Sequence, residues 1–123
     1  MKEVILVGTG GFAGSIARYL LGKLSMHIQS QTLFPPTWLI NIIGCFLIGI
    51  FVSLGSNGKM NNQLQLLLSV GFCGGFTTFS SFSVENLLLL ETGKTGLFFF
   101  YAVSSVLLGL FAVWLGIKVI ELF

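Results

Sequence analysis

The stretch Glu3-Val-Ile-Leu-Val7-Gly8-Thr9-Gly10-Gly11-Phe12-Ala13 has two readings, and they lead to different folds. As a branched apolar run followed by Gly8-x-Gly10-x-x-Ala13, it imitates the strand, turn and helix of a nicotinamide-dinucleotide-binding domain, where glycines let the backbone approach a pyrophosphate. That reading needs an acidic residue about 20 positions further on, and several more strand and helix units. Positions 28–32 read Ile-Gln-Ser-Gln-Thr, and no such units follow. As the first half of a membrane helix, the same residues run on in apolar company to Leu24. Gly10 and Gly14, four apart with Ala13 and Ala17 beside them, then let a neighbouring backbone come close. The packing reading makes the chain an all-α integral membrane protein.

Composition agrees with that choice. The 123 residues are 54% hydrophobic and 8% charged, against about 25% charged in an average soluble chain. With six Lys/Arg and four acidic residues, all of them Glu, there is too little polar surface to coat a water-facing globule. The length allows one domain, residues 1–123. A net charge of +2 without any basic run excludes nucleic acid as a partner. Cys45 and Cys73 lie in apolar stretches and His27 stands alone, so neither a disulfide nor a Cys/His metal cluster is expected.

A crossing takes about 20 apolar residues, and four fit, at about 4–24, 37–55, 63–91 and 96–122. Arg18 inside the first argues against a cleaved signal peptide, whose apolar region is short and uncharged. Pro35-Pro36 and Trp38 open the second at a helix start and an interface. The connections are short: a polar stretch with His27 and residues 29–32, then residues 56–62 with Asn57-Gly58, then residues 92–95 with Gly93. No separate extramembrane domain is expected. Four spans put Lys2, Lys59 and Lys118 on one side and Arg18, Lys23 and Lys94 on the other. Orientation normally follows a Lys/Arg excess on the cytoplasmic side. Its absence predicts insertion in both senses and an antiparallel, dual-topology homodimer in the lipid bilayer.

The third span carries Gly71-Phe-Cys-Gly74-Gly75-Phe76-Thr77-Thr78-Phe79-Ser80-Ser81-Phe82-Ser83, a choice no lipid-facing helix would make. Adjacent glycines weaken a helix by about 1 kcal/mol each relative to Ala, and hydroxyls can satisfy the carbonyls a break frees. The run predicts an interrupted helix around Gly74 to Thr78. The alternative is an intact helix that uses its small residues for packing. A break midway along the span lies near the midplane, where the twofold axis of an inverted dimer also lies. Carbonyls released on both copies would form an oxygen-lined site suited to a hard monovalent cation.

Phe79 and Phe82, three apart, project from one helix face. Aromatic rings have positive edges, so rings met edge-on can contact an anion; packing is their other use. Asn41 places an amide in the second span, as interhelical glue or as a donor. In the fourth, Tyr101, Ser105 and Gly109 form one stripe, with Ser104 the neighbouring alternative. Arg18 either snorkels to the interface or supplies positive potential at a pore mouth. Glu85, about 12 Å from the predicted break at 1.5 Å per residue, is expected to approach an interface and pair there.

Taken together, these motifs resemble the Fluc/CrcB fluoride channels over essentially the whole chain. Gly10-Gly11-Phe-Ala-Gly14-Ser-Ile-Ala-Arg18-Tyr19 is similar to the family's first-helix motif, Asn41-Ile-Ile-Gly44-Cys-Phe46 to its second, and residues 74–83 to its third. The resemblance implies an antiparallel homodimer in the cell membrane with two pores, passively conducting fluoride out of the cell with high selectivity against chloride. It implies a structural sodium ion held by backbone carbonyls of Gly74 and Thr77 from both subunits. Phe79 and Phe82 match the pore phenylalanines and Asn41 the pore amide, while Thr78, Tyr101 and Ser105 match polar positions near the path. Gly109 replaces a serine found in some members, and Ser81 a threonine found in many. Fluoride is small and strongly hydrated. A pore must therefore replace its water with many modest donors that still let it go, and amide, hydroxyl and ring-edge contacts suit that need.

The rival from another class is a small proton-coupled multidrug exporter, also a four-span, dual-topology dimer. Such a pump needs a titratable carboxylate near mid-membrane, commonly in its first helix; here that helix has only Glu3, at its very start. A non-transporting assembly protein would leave the third-span hydroxyls without a purpose.

Overall fold

In the computed structural model residues 1–28 and 35–123 are described, and among them the only regular structure is helical. The connection assigned to residues 29–32 lies outside the described residues. Helix α1 spans Lys2–Ile28, with Glu3 in its first turn, where an acid favours the helix dipole. Helix α2, Pro36–Ser56, starts on a proline, whose fixed φ suits the first helical position and whose missing N–H costs nothing there. Its 21 residues give a length of about 31 Å at 1.5 Å per residue, matching a hydrocarbon layer of about 30 Å. The chain turns at Gly58, which has a positive φ of 67°, and Lys59 N–H returns to Leu54 O at 2.9 Å.

The third span is assembled from pieces. Asn61 caps the short α3, Asn62–Gln65, by accepting Leu64 N–H at 2.8 Å. A π-helical turn, Leu66–Phe72, follows directly, and then α4, Cys73–Phe76. After Thr77 and Thr78 the chain re-enters a helix as α5, Phe79–Glu91. Gly93, with φ 73°, turns the chain into α6, Thr95–Leu122. Among the described residues four stretches are long and apolar enough to cross a membrane: Lys2–Met26, Pro36–Ser56, Asn62–Glu91 and Thr95–Leu122. The chain is a multi-pass membrane protein. Large apolar side chains such as Phe12, Leu110 and Phe111 stand exposed, as lipid-facing residues should.

Two close pairings hold the spans together. Helix α1 lies along the π turn and α4, and α2 lies along α6. A Cβ on Gly10 would strike the Leu67 carbonyl, one on Gly14 the Phe72 carbonyl, and one on Gly75 the Gly11 carbonyl. Of the two glycines that imitate a nucleotide fingerprint, Gly10 therefore serves backbone contact between helices, while Gly8 has nothing within 4 Å of where its Cβ would stand. Gly49 against Val113 and Gly116 against Phe46 do the same for α2 and α6.

Candidate functional site

The site grows from two residues with extended backbones, Thr77 (φ −87°, ψ 157°) and Thr78 (φ −149°, ψ 117°). Asn41 reaches across from α2 and pairs with both peptide groups of Thr78. Its Nδ2 donates to Thr78 O at 3.1 Å, and its Oδ1 accepts Thr78 N–H at 2.9 Å. Thr78 Oγ1 accepts Ser81 N–H at 3.2 Å and so caps α5. In a continuous helix these two N–H groups would close on the carbonyls four residues earlier, those of Gly74 and Thr77. Both N–H groups are given to side chains instead, and the two carbonyls gain lone pairs for other partners. The neighbouring Gly75 carbonyl accepts Arg18 Nε at 3.1 Å. Gly74 is exposed, with nothing within 4 Å of where its Cβ would stand. Released carbonyl oxygens on an open face are the donor set a hard cation takes, so these residues fit a sodium ion by chemistry.

Beyond the threonines the site turns aromatic. The Phe79 and Phe82 centroids lie 5.7 Å apart with planes tilted by 34°, and Phe82 meets Tyr101 at 5.2 Å and 59°. Phe79 is 79% exposed, whereas Tyr101 is fully buried. Asn41, Thr78, Phe79, Phe82 and Ser105 line one cavity of about 430 Å³, together with Gly74 and Thr77 and without any charged side chain. A second cavity, about 520 Å³, is lined by Arg18, Lys23, Thr37, Ser81 and Glu85. Thr78 lines both, so the uncharged cavity and the charged one meet at the residue Asn41 holds.

The structure supplies partners that the sequence left open for Glu85, Tyr101, Arg18 and Ser104. Glu85 accepts two hydroxyls, from Thr37 Oγ1 and Tyr101 OH, each at 2.7 Å. Among the described residues the ion pair is Lys118 with Glu121, and Glu85 is held by these two neutral donors. Tyr101 consequently points its hydroxyl at Glu85 and presents its ring to Phe82. Arg18 neither snorkels freely nor serves only as a distant charge, because its Nε is bound to the Gly75 carbonyl while its side chain lines the charged cavity. Ser104, the alternative to Ser105, accepts Trp38 Nε1 at 3.0 Å, which leaves Ser105 as the hydroxyl that α6 brings to the uncharged cavity. Gly109 is buried against Cys45; a Cβ there would lie 3.4 Å from Cys45 Sγ, so a serine would need that thiol to give slightly.

Thr37 and Ser69 were missed. Thr37 follows Pro36 and reads as an ordinary helix-start residue. Ser69 sits alone among leucines, and nothing in its neighbours signals the π turn.

Residues 5–117 match the family described as CrcB-like protein, Camphor Resistance (CrcB). The chain is 48% identical to a protein of Phocaeicola vulgatus named "Fluoride-specific ion channel FluC", over 98% of this chain and 100% of that one. Proteins of the same name from Gloeothece citriformis and Thermus thermophilus are 46% and 42% identical, over 98% and 96% of this chain and 98% and 94% of theirs.

Proposed function

Because this chain belongs to the CrcB-like family, a family of ion channels and not of enzymes, we propose that it is a fluoride-selective passive channel of the cell membrane that lets cytoplasmic fluoride out. The observation that carries the reading is the uncharged cavity around Asn41, Thr78, Phe79, Phe82 and Ser105. Its amide, hydroxyl and ring edges are modest donors, and no cationic side chain lines it to trap a small anion. The adjoining cavity with Arg18 and Lys23 gathers anions from water by its potential. Thr78 is the passage between them.

Two copies in opposite orientation complete the channel, each contributing to two pores. Phe79 is exposed and lines the same cavity as the open Gly74; a second copy covers both. The Gly74 and Thr77 carbonyls of the two copies would then hold a sodium ion that supplies fixed positive charge at their junction and ties the third spans together. The exporter reading is not favoured, since the sole acid in α1 is Glu3, exposed in the first turn.

The test is fluoride efflux from liposomes containing the purified chain alone, driven by a potassium diffusion potential, in sodium and in sodium-free buffer. Rapid efflux that ignores chloride and slows after exhaustive sodium removal is expected. Vesicles that keep their fluoride would overturn the function, and a rate indifferent to sodium would remove the ion from it.

A further inference from the structure

Hydroxyl side chains on helices commonly bond back to a carbonyl one turn earlier. This chain does so at Thr9 to Ile5 (2.9 Å), Ser56 to Val52 (2.9 Å), Ser83 to Phe79 (2.9 Å) and Thr92 to Leu88 (2.7 Å). Ser69 and Ser105 do not. Their Oγ atoms are buried and have no hydrogen-bond partner among the described residues. Each has a local cause. Ser69 lies within the π-helical turn Leu66–Phe72, whose ladder runs to the carbonyl five residues back and shifts the one four back out of its usual register. At Ser105 the carbonyl one turn earlier, that of Tyr101, already accepts Ser104 Oγ at 3.3 Å.

Both hydroxyls line the same uncharged cavity as Asn41, Phe79 and Phe82. Two buried donors left without acceptors in one cavity call for an explanation, and an acceptor that passes through supplies one. The remaining buried orphan, Asn86 Oδ1, is an acceptor and does not line the cavity. We infer that Ser69 Oγ–H is a further donor to the permeating anion, extending the path past Ser105 along the third span. The π turn thereby acquires a purpose, since it takes this hydroxyl away from its own backbone. The inference rests on the channel reading above.

The full chain in liposomes, assayed for efflux across a range of fluoride concentrations, tests it through Ser69→Ala, Ser69→Cys and Ser69→Thr. Loss of one hydrogen bond to a charged partner predicts efflux about tenfold lower below saturation and a higher half-saturating fluoride concentration in Ser69→Ala and Ser69→Cys, with Ser69→Thr near the parent. Ser69→Cys keeps the volume and decides the matter if Ser69→Ala does not assemble. Efflux equal to the parent at every concentration overturns the inference, as does an equal loss in all three variants with an unmoved half-saturation, which marks packing. A parent chain that passes no fluoride instead overturns the channel reading.

Discussion

The two sides of Thr77 use opposite means to hold the third span. Before it, the π turn and α4 lie against α1 backbone to backbone, with Gly10, Gly14, Gly71 and Gly75 removing Cβ atoms that would intervene. After it, α5 is held by side chains: Glu85 bridges Thr37 and Tyr101, and Phe82 packs, tilted, between Phe79 and Tyr101. Lipid offers no hydrophobic drive for helices to associate. The first half therefore gains contact by closeness, while the second spends its side chains on a polar network and an aromatic wall. A half fixed by its backbone does not adapt, and that rigidity positions Thr77 and Thr78. A half fixed by side chains leaves donors and rings turned toward a cavity.

The contrast breaks most severely at Gly14→Leu. A Cβ there already collides with the Phe72 carbonyl and approaches Phe76 N within 2.8 Å, and backbone cannot move aside as a flexible side chain can. Overpacking a tight contact costs about 1–3 kcal/mol and occasionally more, and this collision belongs at the upper end. Size-exclusion chromatography in detergent is expected to show aggregated protein or none. Recovery of a sharply melting, conducting species would mean that the glycine half adapts after all.

The joint between the halves answers to Asn41→Asp. An aspartate retains the acceptor for Thr78 N–H but loses the donor to Thr78 O, and it places a negative charge in the uncharged cavity. Each buried polar group left unpaired costs about 1–3 kcal/mol, and the charge repels any anion. Fluoride efflux is expected to fall by at least about a hundredfold, equivalent to about 2.7 kcal/mol, while the protein still elutes as it did. Near-normal efflux would place Asn41 outside the path.

How much of this was legible beforehand depended on the kind of signal. Four spans followed from apolar length, and the glycine contacts of α1 from a spacing of four, because both reflect the hydrocarbon solvent and leave a periodic trace. Asn41, Thr78, Phe79 and Phe82 stood out because amides, hydroxyls and paired rings are unusual in lipid, and the structure brings them to one cavity. What escaped were contacts between elements. Arg18 bonding to Gly75, Thr37 bonding to Glu85, and the π turn around Ser69 each depend on which helix faces which, and no local pattern encodes that. Glu85 shows the limit well: distance along the helix suggested a partner near an interface but not which one, and the two hydroxyls that bind it come from α2 and α6.

The mildest perturbation, Tyr101→Phe, separates structure from conduction in the side-chain half. The ring still packs on Phe82 at 5.2 Å, so the aromatic wall keeps its shape, and Glu85 keeps Thr37. What disappears is the 2.7 Å hydrogen bond to Glu85, which pins the ring and satisfies one carboxylate oxygen. Hydrogen bonds to charged groups contribute about 1.5–3 kcal/mol, so a lower melting temperature is expected in detergent. Efflux should fall only about threefold, because a hydroxyl turned toward Glu85 is not turned toward the anion. If Tyr101→Phe instead slowed efflux as far as Asn41→Asp without lowering the melting temperature, the hydroxyl would have to leave Glu85 and meet the ion. Glu85 would then be a switch that releases a donor, and the side-chain half would move during conduction while the glycine half stayed still.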